Sequence, residues 1–552
     1  MKQTGSEYIA DFLEDKGIDT IFTVAGDHIL HLMDTLSKRG FTFIDTRHEQ
    51  AAVDMANAWG RIKNKPGISM FTTPGHANAI PGLTLAHQQL SPIINISGCA
   101  DSNLLGMGAP QEIDQVGMAK PVTKRSSMIQ NGNLLISELE SSFQASMSDR
   151  RGPTHLTIPT NIQTNLYKNE EMSSQTRSVI NSRYPQLIEV ENCLKYISAA
   201  SNPVFILGNG AHDVNKDDMI NIIESFNCPL INEMSARGIV PDSHHLSYGL
   251  SDQRANPVAR AIEESDLIIL LGKELDFTLD YGNPPAISKN TKLIQVDPDE
   301  YTLGKSKRSD LSILSSVGIF IKELSKLIND NSDLSKNPDI FSTFDNNKEA
   351  HLKYLNGLTG SGNNIHSMDV HREVSKLLEN DNCLIFEGSD FAFYGASYYL
   401  SERRDRWFVN GVLGMIGWGV PFGIGAKTAL KNEQVIVFTG DGASGFNLME
   451  IDTAVRNNIN VKIIIGCDSV WGIDYHQQVE FFNNPVATNL NFVNYENIAK
   501  SVGAYGDLVE SKAELPSKLQ KFLDHEGPGI LNIKTEPSPS PLTEYIMNTK
   551  EY

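Results

Sequence analysis

The sequence predicts an α/β protein built from three doubly wound domains, each organised around a parallel β-sheet. Short apolar runs typical of buried strands alternate along the chain with stretches of helical spacing. Two polar segments, 166–186 and 329–363, interrupt this alternation and indicate connectors. The first and last domains also end alike, because Gly152-Pro153 and Gly527-Pro528-Gly529 each precede a short strand, which suggests an internal duplication. The predicted domains are 1–166, 187–328 and 364–552.

Length and composition agree with a multidomain protein of the reducing cytoplasm. A chain of 552 residues with 40% apolar residues is long enough for about three to four domains. Lys+Arg of 47 against Asp+Glu of 67 gives a net charge of −20, which argues against nucleic acid or an anionic membrane as a partner. The five cysteines are scattered without paired spacing, so we expect no disulfide frame and no zinc site. The N-terminus is polar and no apolar run approaches a membrane span, so we expect a cytoplasmic location.

The first domain begins with a helix over residues 8–16 and a strand over Thr20–Val24, which leads into a loop containing His28. A second strand, Phe43–Asp45, runs into Glu49 at the start of an alanine-rich helix. An acidic side chain in a first helical turn suits the helix dipole and caps amides, so the residue types alone favour a structural role for Glu49.

The rest of the first domain follows the same plan. Strand Ile68–Thr72 feeds a Gly/Pro turn that contains Thr73 and Asn78 and leads into a helix. Strand Ile93–Ile96 is followed by a long loop with Gln111, which the residue types alone place on the surface. A strand over Thr154–Ile158 closes the domain.

The middle domain is predicted as a further parallel unit from strands at Val204–Leu207, Leu267–Leu271 and Leu293–Val296. Gly208-Asn209-Gly210 follows the first of these strands, but no complete GxGxxG pattern is present. We therefore expect a structural domain without a nucleotide.

In the last domain, the apolar strand Val435–Phe438 runs into Gly440-Asp441-Gly442, a tight turn that becomes a helix with apolar positions through Val455. The amides of Ala443 and Ser444 would then lie at a helix N-terminus, where anions are favoured.

A second strand, Val461–Ile465, ends in Cys467-Asp468. Parallel neighbours end at the same sheet edge, so Asp441 and Asp468 are expected to share one hard divalent cation that also binds phosphate oxygens.

The stretch GDGASGFNLMEIDTAVRNNINVKIIIGCDSVWG resembles, without a gap, the metal–diphosphate motif of thiamine diphosphate enzymes. The resemblance implies thiamine diphosphate and Mg²⁺ as cofactors, with the metal held by Asp441, Asp468 and the backbone carbonyl of Val470. The family usually has Asn-Asn where this chain has Cys467-Asp468, so the second ligand would be a carboxylate. The cofactor-binding residues that the resemblance implies are Thr73, Asn78, Gly414, Ile416, Gly440, Asp441, Gly442, Ala443, Ser444 and Asp468.

A second segment, DTRHEQAAVDMANAWGR, resembles the one that carries the cofactor-activating glutamate in the acetolactate synthase, benzaldehyde lyase and pyruvate decarboxylase group. Glu49 is the matching residue. Its protonated carboxyl would bond N1′ of the pyrimidine, so that the 4′-nitrogen takes the C2 proton and leaves the ylide. The carbonyl matching Gly414 accepts from the 4′-amino group, and the side chain matching Ile416 wedges between the two rings, although a packed core isoleucine would look the same.

The domain order then matches that of the group: pyrimidine-binding, middle, and diphosphate-binding. In that group the cofactor lies between the first domain of one subunit and the last domain of its partner, so the resemblance implies a homodimer or homotetramer. Some relatives hold FAD or an ADP group in the middle domain. We expect neither here.

The reaction class depends on two residues. His28 and Gln111 occur where benzaldehyde lyase has its His and Gln, and DSVWGIDYHQQ resembles that enzyme after the metal ligand. The adjacent histidine pair of pyruvate decarboxylases is missing before Lys124. We therefore favour a carbon–carbon lyase and carboligase acting on 2-hydroxy ketones and aldehydes, with Glu49, His28 and Gln111 as catalytic residues. The segment EGSDFAFYGASYYL departs from benzaldehyde lyase.

Three alternatives stay open. One is an acetolactate synthase-like enzyme or 2-oxo acid decarboxylase. Another is a 2-hydroxyacyl-CoA lyase or oxalyl-CoA decarboxylase, against which no Lys/Arg cluster stands out as a CoA phosphate site, although scattered residues could assemble one. The last is a binding or regulatory protein that retains only the fold, supported by Cys467-Asp468 and opposed by intact Glu49, Asp441 and Ile416.

Overall fold

The computed structural model describes residues 2–168, 182–329 and 336–550. Within these ranges the chain forms three six-stranded sheets whose strands all run parallel, which confirms the predicted fold class. Most of the first predicted connector, residues 169–181, and part of the second, 330–335, lie outside the described residues. The exact domain boundaries therefore stay predictions.

The first domain contains eight strands, of which six form its parallel sheet in the order β3-β2-β4-β5-β7-β6. The short strands β1 and β8 pair antiparallel and bring the beginning and the end of this domain together. The elements are β1 Lys2–Thr4, α1 Gly5–Asp15, β2 Thr20–Thr23, α2 Leu30–Lys38, β3 Thr42–Asp45, α3 Glu49–Lys63, β4 Gly67–Phe71, α4 Thr73–Gln88, β5 Ile93–Cys99, α5 Gln115–Ala119, β6 Arg125–Met128, α6 Leu135–Met147, β7 Pro153–Pro159, α7 Thr160–Thr164 and β8 Leu166–Lys168.

The middle domain has the strand order of a dinucleotide-binding fold, β11-β10-β9-β12-β13-β14. All six strands are parallel, and the chain begins at β9, adds strands on one side as far as β11 and then continues on the other side from β12. Its elements are α8 Leu187–Ala199, β9 Pro203–Leu207, α9 Lys216–Phe226, β10 Leu230–Asn232, β11 Ser247–Leu250, β12 Leu267–Leu271, β13 Lys292–Asp297, β14 Leu311–Leu314 and α10 Val317–Asn329. A 3₁₀ helix over Pro257–Glu264 precedes β12.

The second polar connector contains a helix that the sequence pattern did not identify. Helix α11, Ile340–Gly357, buries Ile340, Phe344 and Leu355. Phe344 packs in one core cluster with Ile262 of the 3₁₀ helix in the middle domain. Its few buried positions along 18 residues explain why the segment looked uniformly polar.

The last domain repeats the plan of the first. Its elements are α12 Ser367–Ser375, β15 Asn382–Glu387, α13 Asp390–Tyr398, β16 Trp407–Val409, α14 Gly419–Ala429, β17 Gln434–Gly440, α15 Asp441–Asn447, α16 Glu450–Arg456, β18 Lys462–Cys467, α17 Gly472–Phe482, α18 Tyr495–Ser501, β19 Tyr505–Val509, α19 Leu515–Asp524, β20 Gly529–Lys534 and α20 Pro541–Thr549. The sheet order is β16-β15-β17-β18-β20-β19. When the six strands of each parallel sheet are numbered in chain order, the first and last sheets both run 2-1-3-4-6-5, which supports an internal duplication.

The predicted helix after Gly442 is divided. Helix α15 ends at Asn447 and α16 starts at Glu450, and the side chains of Phe446 and Met449 near the break are 59% and 50% exposed. The break turns Glu450 into the protein interior, where it is 1% exposed. The prediction of helical structure is confirmed, but the prediction of one continuous helix is wrong, because two short helices are present.

The first and last domains share one hydrophobic core. Helix α3 of the first domain crosses α14 of the last so closely that a Cβ on Gly425 would lie 2.3 Å from the carbonyl oxygen of Met55. Only glycine fits at such a backbone contact. None of the helices in the described ranges combines the length and the apolar character that a bilayer crossing needs.

Candidate cofactor site

A cavity of about 400 Å³ opens at the carboxyl edge of the last domain's sheet. Strands β17 and β18 are paired in register, with Gly440 opposite Gly466, so the residues that follow them meet at this edge. Asp441, Asp468 and the Gly440–Gly442 turn line the cavity, together with Gly414 and Ile416. This is the crevice position where parallel α/β sheets bind ligands.

Asp441 begins α15 and is only 3% exposed. Its two carboxylate oxygens accept hydrogen bonds from the backbone N–H of Gly442 at 2.9 Å and of Ser469 at 2.9 Å. Burial nevertheless raises the pKa of Asp441. A buried carboxylate in this state is stabilised by a cation.

Asp468 and Asp390 add two more carboxyl groups beside Asp441. One oxygen of Asp390 is buried without a hydrogen-bond partner in the part of the chain described. A Cβ on Gly472 would lie 2.7 Å from that oxygen and 3.5 Å from an oxygen of Asp468, so the two groups face one glycine. Burial, together with the charges of Asp441 and Asp390, raises the pKa of Asp468 to about 8.

The donor set fits a hard divalent cation. Carboxylate and carbonyl oxygens are the ligands that Mg²⁺ prefers. The one basic residue lining the cavity among the described residues, Arg254, is already paired with Asp252 at 2.7 Å. A different group, Glu224, His244 and His245, brings three possible ligand atoms within 4.8 Å of one another on the middle domain. It lies outside the cavity.

The floor of the cavity is shaped by glycines. A Cβ on Gly442 would lie 2.5 Å from the Trp471 ring, so the turn passes directly beneath that ring. Gly414 has φ +65° and its Cβ position is open, which leaves space over its backbone. Ile416, which is half-buried, also lines the cavity and packs against Gly388. The backbone amides of the turn are therefore available to a diphosphate, and the space above Gly414 and beside Ile416 is available to two linked rings.

The hydroxyl of Ser444 is less available than the sequence suggests. It donates to the carbonyl of Gly440 at 2.8 Å, which closes the first turn of α15. Ala443 lines the cavity, whereas Ser444 does not. Ser444 could therefore contribute its backbone rather than its side chain.

Glu49 lies in the first domain at the N-terminus of α3, as predicted. Its carboxylate accepts a hydrogen bond from the side-chain amide of Asn78 at 3.0 Å. A Cβ on Gly75 would lie 2.9 Å from the other oxygen, so the Thr73–Asn78 turn passes close to Glu49. The structure thus brings Glu49 and Asn78 together.

Glu450, which was not identified from the sequence, holds the backbone of the two residues that precede Glu49. Its Oε1 accepts the backbone N–H groups of Arg47 at 3.0 Å and His48 at 3.1 Å, and Oε2 accepts the hydroxyl of Thr453 at 2.6 Å. Burial raises the pKa of Glu450 to about 7. The last domain therefore positions the junction that presents Glu49 of the same chain.

His28 is 9% exposed, and burial lowers its pKa. Its Nδ1 is buried and has no hydrogen-bond partner among the described residues. The backbone of His28 packs against Gly98, whose carbonyl accepts the hydroxyl of Thr73 at 3.2 Å. His28 and Thr73 therefore lie at one edge of the first sheet.

Gln111 is exposed and has φ +59°, a conformation that glutamine rarely adopts. Its side chain forms no hydrogen bond within the described ranges. Glu49, Thr73, Asn78, His28 and Gln111 do not line the cavity of the last domain in the same chain. The predicted site residues therefore fall into two half-sites, one on each of the two duplicated domains.

Asp390 is the other residue beside the candidate site that the sequence analysis missed, although a signal for it was present. It follows β15, which pairs with β17, so the rule that placed Asp441 and Asp468 at one sheet edge also places Asp390 there. Glu450 carried no such signal, because its partners lie about 400 residues away in the chain.

The parallel sheets, the duplicated domains and a cavity at the carboxyl edge of the last sheet are typical of an α/β enzyme. Residues 3–118 match the family described as thiamine pyrophosphate enzyme, N-terminal TPP binding domain. Residues 190–324 match its central domain and residues 388–533 its C-terminal TPP binding domain. The chain belongs to the thiamine diphosphate-dependent enzymes.

Relatives extend over nearly the whole chain. A probable acetolactate synthase of Mycobacterium bovis is 28% identical over 551 residues, covering 96% of this chain and 95% of that protein. A 2-hydroxyacyl-CoA lyase 2 of Caenorhabditis elegans is 27% identical, covering 94% and 86%. The large subunit of acetolactate synthase isozyme 1 of Escherichia coli is 26% identical, covering 97% and 94%. The resemblance to this enzyme group is confirmed, and the particular likeness to benzaldehyde lyase stays a prediction.

Proposed function

We propose that this enzyme is a Mg²⁺-dependent carbon–carbon lyase and carboligase that acts on 2-hydroxy ketones and aldehydes. The observation that carries the proposal is the unpartnered Nδ1 of the buried His28. A lyase must remove a proton from the hydroxyl of its substrate, and a neutral imidazole suits that task. Because burial lowers the pKa of His28, the ring is neutral at physiological pH.

Thiamine diphosphate supplies a carbon nucleophile that adds to carbonyl carbons. Glu49 would hold a proton at the pyrimidine ring, with Asn78 keeping its carboxyl in place. The carbonyl of Gly414 would accept from the pyrimidine amino group, and Ile416 would hold the two rings bent.

A different set of groups would bind the metal and the diphosphate. Asp441, Asp468 and the carbonyl of Val470 would bind Mg²⁺, and the amides of α15 would receive the diphosphate. Gln111 would approach the thiazolium side from its exposed loop.

We propose a homodimer, or a homotetramer built from such dimers, with each site formed by two subunits. The support is that the Glu49 half-site and the Asp441 cavity are separate within one chain. Exposed apolar side chains flank the cavity side of the last domain, including Leu413 at 41% and Phe446 at 59%. Such side chains are often buried by a second subunit.

Mixing two inactive variants tests this arrangement. In a mixture of Glu49→Gln and Asp441→Asn, half of the dimers are mixed and one of their two sites is intact, so about one quarter of wild-type activity should return after subunit exchange. Each variant alone is the control. No recovery in a mixture shown by native mass spectrometry to have exchanged subunits would refute shared sites.

We propose that the middle domain holds no FAD. Dinucleotides bind where the sheet order reverses, here between β9 and β12. Lys273 at this point is 0% exposed and pairs with Glu233 at 3.2 Å and Asp276 at 2.7 Å. Arg150 pairs with Asp297 at 2.8 Å. The basic groups that could receive a diphosphate are thus already neutralised.

An acetolactate synthase-like reaction is the second candidate, because two of the three relatives described above carry that name. A 2-hydroxyacyl-CoA lyase would agree with the main proposal in bond type, since it too cleaves beside a hydroxyl-bearing carbon. The candidates differ in whether CO₂ leaves pyruvate.

Product analysis decides between them. The holoenzyme is incubated with pyruvate, with 2-hydroxy ketones, with a 2-hydroxyacyl-CoA thioester and with aldehyde pairs, and products are identified by NMR. We expect cleavage or ligation to exceed CO₂ release, and His28→Ala to depress cleavage more than decarboxylation. Robust acetolactate formation with no turnover of any hydroxy compound would refute the lyase assignment.

A further inference from the structure

A second cavity, of about 300 Å³, lies where all three domains meet. The first domain contributes Arg61 at the end of α3 and Arg151 before β7, and the last domain contributes Arg404 and Arg406 before β16. The middle domain closes the space with the turn from Gly208 to His212 after β9. Four guanidinium groups from two domains therefore surround one small space.

The positive charge of this cavity is only partly neutralised. Asp405 is the single carboxylate among the described lining residues, and it pairs with Arg61 at 3.3 Å. Arg406 is held by Glu433, whose two carboxylate oxygens lie 2.7 and 2.8 Å from its nitrogens. Within the described residues Arg404 donates hydrogen bonds to two backbone carbonyls, at 2.7 and 2.6 Å, and the nearby carboxylates of Asp405 and Asp213 do not bond to it directly.

Arg151 is the least satisfied of the four. It forms no ion pair within the described ranges, and its buried Nε has no hydrogen-bond partner there. Burial lowers the pKa of Arg151 to about 10, with Arg404 adding like charge. His212 beside it also has a buried and unpartnered Nδ1, and burial lowers its pKa far enough to keep the ring neutral. A neutral imidazole can donate one N–H.

This cavity is separate from the crevice between β9 and β12. Arg150 and Lys273, which pair with carboxylates at the crevice, do not line this cavity, whereas residues of all three domains do. The arginines come from three distant segments of the chain. Arg150-Arg151 and Arg403-Arg404 are short basic runs in the sequence, but nothing local shows that these segments meet.

We propose that the three-domain cavity binds a compact dianionic oxyanion, such as a phosphate group, held by Arg151 and Arg404 with His212 as a further donor. Guanidinium groups bind phosphate oxygens through charge-assisted hydrogen bonds. The anion would supply the negative charge that no direct ion pair supplies to Arg151 and Arg404. It would also link the three domains that line the cavity.

A chain of hydrogen bonds connects this cavity to the cofactor cavity. Gln89 lines the three-domain cavity, and its side-chain amide donates to the carbonyl of Asn410 at 3.4 Å. Asn410 lines the cofactor cavity and accepts the N–H of Gly388 at 2.8 Å. An anion that orders Gln89 would therefore order one wall of the cofactor cavity.

Calorimetric titration of the holoenzyme with inorganic phosphate tests the site. Saturating thiamine diphosphate and Mg²⁺ occupy the cofactor cavity, and sodium chloride matches the ionic strength. We expect saturable binding that is weaker by about tenfold or more in Arg151→Gln and in Arg404→Gln, because each loses a charge-assisted hydrogen bond. The matched control is Arg308→Gln, which removes an exposed arginine from the middle domain and should bind phosphate like the wild type.

The melting temperature provides a second measurement. Phosphate should raise it in the wild type and in Arg308→Gln by mass action, but not in Arg151→Gln. If Arg151→Gln does not fold, Arg404→Gln carries the comparison. Equal phosphate affinity in the wild type and the folded cavity variants would overturn the proposal. Tighter binding of succinate than of phosphate would overturn the assignment to a compact oxyanion.

Discussion

Removing the charge of Glu450 should change the stability of the protein in a pH-dependent way. The carboxyl group is 1% exposed, and burial raises its pKa from 4.5 to about 7. A raised pKa means that the folded state favours the protonated form. The stabilisation is therefore fully present below pH 4.5 and is lost as the pH rises through about 7.

The size of the effect follows from the shift. At 1.36 kcal/mol per pKa unit, the difference between 4.5 and about 7 corresponds to about 3 kcal/mol as an upper value. Glu450→Gln keeps an acceptor for the N–H groups of Arg47 and His48, and the Thr453 hydroxyl can turn to accept from the new amide. We therefore expect the variant to exceed the wild type by less than about 1 kcal/mol near about pH 5 and by up to about 3 kcal/mol near about pH 8.

Urea unfolding at several pH values measures this difference. Other titrating groups are common to both proteins and cancel in the comparison. Asp452→Asn is the control, because salt bridges with Arg47 and Arg456 lower the pKa of Asp452 against the effect of its burial. Asp452 stays ionised across that pH range, so its removal should give a constant offset. An equal difference between Glu450→Gln and the wild type at both ends of the range would refute the reasoning.

Three further predictions concern the cofactor site. Glu49→Gln should fold and bind cofactor but lose activity by about 10²–10⁴-fold, since an amide cannot share the pyrimidine proton; near-normal turnover would remove Glu49 from the mechanism. Asp468→Asn should keep Mg²⁺-dependent activity while Asp468→Ala loses it, and an unchanged Mg²⁺ titration in the alanine variant would exclude Asp468 as a ligand. Gly442→Ala should weaken cofactor binding, measured by fluorescence titration, because the new methyl group would lie 2.5 Å from Trp471. Gly445→Ala in the same helix has open space and should bind normally, and equal affinities would contradict the steric argument.

The parts of the fold that depend on local pattern were predictable. Buried strands such as Leu267–Leu271 have the same bounds in sequence and structure, because a short apolar run between turns has few alternatives. Asp441 and Asp468 also lie at one sheet edge as expected, because the carboxyl ends of parallel strands coincide.

The parts that depend on distant packing were not predictable. Glu450 lies in the seven-residue helix α16, and nothing nearby in the chain shows that it binds the backbone at Arg47 and His48. Likewise Arg61, Arg151 and Arg404 become neighbours only when three domains meet. Local periodicity carries no information about such partners.

The pairing of β1 with β8 has a consequence for how the first domain can be handled. Lys2 lies opposite Lys168 and Thr4 opposite Leu166, so the chain enters and leaves this domain at one corner. Joining these two points with a short peptide should allow new termini to be opened in a surface loop elsewhere, which is circular permutation. A permuted domain would keep α3 and its contact with Gly425, and so would test whether the order of elements along the chain matters to the assembled enzyme.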